Sequence, residues 1–323
     1  MKRAAFLTIL ALSHPAAATE WQWRLPTGFP APAVPADNPM SSEKVELGQR
    51  LFHDPRLSGN GTVSCASCHF QSLAFSDGRA LSPGATGQLT HRNAPGLFNL
   101  AWLASYTWAN PALTSLERQA EVPLFGDDPV EMGVTDANRE EVLDRFRADP
   151  EYLAQFQAAF PGQSSLINFQ SITMALATYQ RSLISGAARY DRFLAGELAL
   201  TDQETRGKAL FFSRQARCSE CHGGFDFTDH TQGRSMTYHD AAIHGIATPV
   251  YPNRGVFELT GNPADMNRFR APSLREIGRT APYMHDGRYP DLATVLRNYI
   301  PRHLTDREVE DLRHFLLALG SEQ

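Results

Sequence analysis

Apolar residues recur with helical period along much of the chain. Ser41 or Ser42 can cap a helix that runs through His53 with Leu47 and Leu51 on one face. Asn138 can cap a helix to Ala148, Asp149-Pro150 starts another to Phe160, and Ile172, Leu176, Tyr179 and Leu183 repeat at helical spacing. Thr201-Asp202-Gln203-Glu204 and Thr305 to Glu308 are capping boxes, in which the first side chain satisfies a backbone N–H and the Glu reaches back. The second opens a helix that lines up Val309, Leu312, Phe315, Leu316 and Leu319.

Between these stretches the pattern breaks. Trp21 to Met40 holds Pro26, Pro30, Pro32, Pro35 and Pro39, so it is an extended arm, expected to wrap its own domain. A polar loop with Gly78, Pro83, Gly84 and Gly87 ends in His91-Arg92-Asn93-Ala94-Pro95, before an apolar, aromatic run from Leu97 to Trp108. Gln119 to Glu131, with Pro123, Gly126 and Pro129, is expected to be a loop, and Gly186 to Gly196 a linker. Gly223 to Pro272 is rich in Gly and Pro and too long for a plain connector. Strand signals are scarce, so the expected fold is mostly α with long loops and little strand.

One motif occurs twice: Cys65-Ala66-Ser67-Cys68-His69 and Cys218-Ser219-Glu220-Cys221-His222. Two thiols at i and i+3 can add across the two vinyl groups of a haem, and the adjacent imidazole then lies under the iron. These motifs use all four cysteines of the chain. Two disulfides, or one zinc site built from four thiolates, are the competing readings, and neither accounts for the His that follows each pair. A helix, then a turn, precedes each motif. The expectation is therefore two covalent haem c groups in two haem domains, with His69 and His222 as proximal iron ligands and the long loops wrapped around the haems.

The N-terminus changes the picture of location. Lys2 and Arg3, an apolar run from Ala4 to Leu12 broken only by Thr8, and Ala16-Ala17-Ala18 read as a signal peptide over residues 1–18. The run is far short of the roughly 20 residues that span a bilayer. Export to the periplasm agrees with haem attachment, and the rest divides into an N-terminal haem domain over 19–185 and a C-terminal one over 186–323. A formal charge of -5 argues against a nucleic-acid partner and leaves docking to a protein open. The residues opposite each iron are not set by any motif; Met236, Met266, Met284, Tyr299 and several histidines are all candidates.

Over nearly the whole mature chain the sequence resembles the bacterial dihaem cytochrome c peroxidase and MauG family. The resemblance is carried by Leu51 to Ser58 (LFHDPRLS), the first CASCH, Arg92 to Pro95, Trp108, Gln119 with Glu131, the second CSECH, and Phe269 to Gly287 (FRAPSLREIGRTAPYMHDG). It implies a peroxide-reactive N-terminal haem and a six-coordinate C-terminal haem. It also implies Trp108 as the residue between the haems, Glu131 as acid and base beside the peroxide, and Gln119 as its orienting amide. The separation of Gln119 from Glu131 exceeds that in the peroxidases. Asn93, Thr280 and Pro282 match the family's calcium site. No histidine stands several residues before the Arg-Asn pair, where resting peroxidases often carry a blocking one, so the first haem is expected to be open.

Tyr299 falls where ordinary peroxidases carry a methionine ligand and MauG a tyrosine. Phenolate is a hard anionic donor that favours high-valent iron, whereas thioether favours the reduced metal. The resemblance thus implies a periplasmic MauG-like oxidase that uses hydrogen peroxide to reach a bis-Fe(IV)-type state and oxidises a partner protein. Leu25 to Pro30, Val34 to Pro39 and Pro123 to Gly126 resemble the MbnH-type subgroup, whose copper-binding partner, MbnP, has a tryptophan oxidised to kynurenine. Two alternatives stand beside it: a peroxide-scavenging cytochrome c peroxidase fed by an electron-donor protein, and a dihaem electron carrier without catalysis.

Overall fold

The computed structural model of the chain describes residues 21–233, 236–241, 253–299 and 304–321, the side chain of Tyr299 excepted. The signal peptide expected at 1–18 lies outside the described residues. Ten α-helices are described: α1 Ser42–His53, α2 Leu116–Phe125, α3 Arg139–Arg147, α4 Pro150–Ala159, α5 Phe169–Ser182, α6 Arg189–Leu194, α7 Asp202–Phe211, α8 Phe257–Thr260, α9 Leu292–Tyr299 and α10 Asp306–Leu317. The strand content of the described residues is one antiparallel pair, β1 Tyr238–Asp240 and β2 Arg268–Arg270, with Tyr238 opposite Arg270. No described helix is long and apolar enough to cross a membrane.

Most boundaries follow from capping chemistry. Ser41 accepts from Lys44 N at the start of α1, Asp149 caps α4 ahead of Pro150, and Thr201 and Thr305 form the expected capping boxes of α7 and α10. Asn138 stands before α3, but its side chain turns back to accept from Thr135 N at 2.7 Å and leaves the helix uncapped.

Three further expectations are corrected. The stretch from Gln119 is helical as far as Phe125, because Ser115 caps α2 and Leu116, Ala120 and Leu124 bury one face, which outweighs the donor lost at Pro123. The expected linker contains α6, whose Tyr190 is buried and whose Asp191 bonds Ala188 N at 2.9 Å. The proline-rich arm does not keep to the first half of the chain. Phe29 packs edge-on against both Trp102 and Phe225, with the Arg275 guanidinium 4.6 Å from its ring centre.

Two cores share one design. In the first, α1 crosses α5 around Leu47, Leu51, Ile172 and Leu176; in the second, α7 crosses α10 around Phe211, Leu312 and Phe315. Each crossing has a glycine at its centre. A Cβ on Gly48 would stand 2.0 Å from Ala175 O and 2.8 Å from Tyr179 Cβ; one on Gly207 would stand 1.9 Å from Asp311 O and 2.8 Å from Phe315 Cβ. Backbone is the first obstacle in both, so no side-chain rotation relieves it.

Substituting Gly48 or Gly207 by Ala should therefore destabilise the fold by about 1–3 kcal/mol from overpacking, partly offset by about 1 kcal/mol of helix propensity. Urea unfolding reads this out, and an unchanged midpoint in both variants would show that the crossings tolerate separation.

Candidate haem-binding site

Each Cys-x-x-Cys-His folds as one tight turn. Cys65–Ser67 and Cys218–Glu220 are single 3₁₀ turns, closed by Cys68 N to Cys65 O at 3.2 Å and Cys221 N to Cys218 O at 3.3 Å. The turn leaves the two thiols of each motif, and the His after them, on one short segment. His69 Nδ1 lies 2.6 Å from Phe75 O, and His222 Nδ1 lies 3.1 Å from Pro272 O. A carbonyl only accepts, so Nδ1 carries the proton in both rings and Nε2 keeps a free lone pair, the arrangement typical of metal-bound imidazole. Burial depresses both imidazoles, His222 to about 4, so they are neutral and ready to ligate.

Burial dominates the surroundings of three of the four thiols. Burial pushes Cys65 up to about 12 and Cys68 and Cys218 to about 11. All four are free thiols, and the described residues bring no three His, Cys, Asp or Glu side chains together as a metal cluster.

Beside the second motif is a cavity of about 430 Å³, lined by Cys218, Cys221 and His222 and walled by Leu100, Leu296 and Leu316 among others. Protein interiors are packed with few voids larger than a water molecule. A void of this size, apolar and with two thiols and an imidazole on its wall, fits a haem. The described part of the Gly- and Pro-rich segment closes one side with His239, Arg270 and Pro272. Phe269 lies flat on His285, ring centres 3.8 Å apart, and the Arg92 guanidinium lies 5.6 Å from the Phe269 ring centre.

Trp108 lines the same cavity, and its Nε1–H donates to Asn93 O at 2.8 Å. Asn93, Thr280 and Pro282, the three expected calcium ligands, are among the residues that line it. The Asn93 amide donates to Arg79 O at 2.7 Å. Of the methionines considered as ligands, Met284 lines the cavity and Met236 is exposed. Tyr299 ends α9, a helix whose Leu292, Val295 and Leu296 line the cavity. Its side chain lies outside the described part of the structure.

Glu131 lies within electrostatic reach of both Cys65 and Cys68, and burial raises its carboxyl above the usual carboxylate range. Its loop is pinned at several points: Glu131 O accepts from Ala85 N at 2.7 Å, Met132 N donates to Pro123 O, and Met132 O accepts from Gly59 N at 2.7 Å. Gly84 permits this, since a Cβ there would stand 1.9 Å from Val130 O. Gln119 sits in the first turn of α2, on the element that carries this loop. His91 pairs with Asp128 of the same loop at 3.1 Å.

Comparisons with known proteins agree with this geometry. The model of the family described as di-haem cytochrome c peroxidase matches residues 42–199. The chain is 37% identical over 334 residues to methylamine utilization protein MauG of Methylorubrum extorquens, covering 99% of this chain and 89% of that one. It is 32% identical to cytochrome-c peroxidase IdrP1 of Denitromonas iodatirespirans, covering 97% of this chain and 92% of that one. A crystal structure described as a MauG-like protein associated with microbial copper homeostasis superposes with a TM-score of 0.89 at 45% identity, covering 94% of this chain and 96% of that one.

Intact-mass spectrometry of protein made with haem-attachment machinery should show two added haems. Replacing Cys65 and Cys68 by Ala should remove one, and replacing Cys218 and Cys221 the other; retention of both in either variant would refute thioether attachment there.

Proposed function

The chain belongs to the di-haem cytochrome c peroxidase and MauG family of peroxide-using oxidoreductases, and we propose that it is a periplasmic MauG-like oxidase that turns peroxide against a partner protein. The observation that carries catalysis over plain electron carriage is Glu131, a carboxyl of raised pKa held beside the first Cys-x-x-Cys-His turn by a loop fastened at both ends. Cys65, Cys68 and His69 would hold one haem and Cys218, Cys221 and His222 the other, and these groups would supply the redox chemistry of peroxide reduction. Breaking the peroxide O–O bond heterolytically requires a proton to leave the near oxygen and arrive at the far one. The Glu131 carboxylate takes that proton and gives it back, and the Gln119 amide orients the peroxide. Trp108, buried at the wall between Asn93 and Phe269, is the stepping stone between the two halves.

We divide the mature chain into haem-bearing halves over 19–185 and 186–323, which the two separate cores support. Calcium is proposed at Asn93, Thr280 and Pro282, where an amide oxygen and carbonyls suit a hard cation. For the partner we propose a periplasmic copper-binding protein of MbnP type with tryptophan as the oxidised residue; the likeness to the MauG-like protein associated with microbial copper homeostasis supports the link to copper. The MauG-like branch rests on Tyr299 as ligand to the second iron. A second reading has one observation in its favour: Met284 offers a thioether at the same cavity, which is the donor a peroxide-scavenging enzyme would use.

Two measurements test the reading. Glu131→Gln should slow the reaction with peroxide by about 10²- to 10⁴-fold in stopped-flow spectra, and unchanged rates would remove its acid–base role. Tyr299→Met should raise the midpoint potential of the second haem, within the roughly 0.8 V that axial ligands command, while Met284→Leu leaves it in place. A potential that moves only in Met284→Leu would turn the assignment to peroxide scavenging.

A further inference from the structure

Beside Trp108 lies a chain of hydrogen-bonding groups that the proposed reaction does not use. Tyr238 OH lies 2.6 Å from Ser105 Oγ, which lies 2.7 Å from His230 Nε2. Ser105 and His230 are wholly buried and Tyr238 nearly so. Burial, then the Arg270 charge, holds His230 down to about 4, so its ring is neutral, and in the tautomer with the proton on Nδ1 the bare Nε2 faces Ser105 Oγ. Tyr238 shares a buried cluster with Trp108, Val256 and Phe269. The backbone shows how they meet: Tyr238 pairs with Arg270, and Arg270 N donates to Trp108 O at 2.9 Å. Three backbones thus run side by side, the outer two about 10 Å apart at strand spacing.

The two aromatic residues differ in one chemical respect. Trp108 Nε1–H donates to the Asn93 carbonyl, which cannot take up a proton, so an oxidised Trp108 stays a cation and readily recovers its electron. The Tyr238 phenol is bonded to a hydroxyl that is itself bonded to an imidazole, so its proton has somewhere to go. An oxidised phenol is a very strong acid, and a neutral imidazole is base enough to receive its proton.

We propose that Tyr238 is a reversible store for an oxidising equivalent, loaded from Trp108 and made possible by Ser105 and His230. The inference rests on Trp108 being oxidised during the peroxide reaction proposed above. One electron passes from the Tyr238 ring to oxidised Trp108. The Tyr238 O–H breaks as an O–H forms at Ser105 Oγ, and the original Ser105 O–H breaks as an N–H forms at His230 Nε2. Trp108 is reduced, Tyr238 becomes a neutral phenoxyl radical and His230 an imidazolium; peroxide is the ultimate oxidant. Because Tyr238 is buried, the radical is kept from solvent until the electron returns. Ser105 and His230 act as positioning residues for the proton.

The test is freeze-quench EPR of the two-haem protein mixed with hydrogen peroxide and no partner, with ring-deuterated tyrosine to identify the radical. Wild type should give a tyrosyl signal that narrows on deuteration, Tyr238→Phe should lose it, and Ser105→Ala should form it severalfold more slowly. Full signal in Tyr238→Phe, or wild-type rates in Ser105→Ala, overturns the proposal; should Tyr238→Phe fail to fold, Ser105→Ala decides. A wild type that retains oxidising equivalents but shows no tyrosyl signal refutes the store alone. One that reacts with peroxide and retains none refutes the functional reading as well.

Discussion

The structure depends on two helix crossings at which backbone meets backbone. Gly48 against Ala175 and Gly207 against Asp311 bring α1 onto α5 and α7 onto α10 with no side chain between them. Each crossing fixes the direction in which the chain leaves the first helix. Shortly after, in both halves, it makes the Cys-x-x-Cys-His turn. The point from which each motif turn sets out is thus set by a contact that contains no chemistry at all.

Much of this was legible in the residues. The two motifs, the helix before each and the capping boxes at Thr201 and Thr305 are local signals, set by neighbours three or four positions away, and the structure reproduces them. What escaped reading depends on partners far along the chain. Nothing near Pro123 announces that Leu116, Ala120 and Leu124 will find a core that outweighs a missing N–H. Gly48 and Gly207 were visible as glycines inside helical patterns, a sign that could have been taken for close packing, but the residues they meet lie more than a hundred positions away. Among the site residues, Glu131 could be placed by resemblance, whereas the loop contacts that hold it could not.

The boundary between the halves is polar and buried, which is the hardest arrangement to foresee. Asn99 Nδ2 donates to Asp226 Oδ1 at 2.7 Å and to Ser185 O at 2.9 Å, and Ser185 Oγ donates to Glu276 at 2.6 Å. Within the second half, Arg275 lies 3.6 Å from Asp226 and makes a two-pronged pair with Asp191, both contacts at 2.9 Å. Buried charges cost several kcal/mol each unless paired in good geometry. A network of this kind therefore favours one relative placement of the halves over its neighbours, and the cavity, Trp108 and the Tyr238 chain all sit along that seam.

Phe29 belongs to the first stretch of the folded chain, yet its ring is held by Trp102, Phe225 and Arg275. During synthesis the arm emerges long before residues 225 and 275 exist to receive it. Its docking is therefore a late event that cannot precede the second half, and the order of closure runs against the order of the sequence. The arm acts as a latch on an assembly whose two halves are already in register.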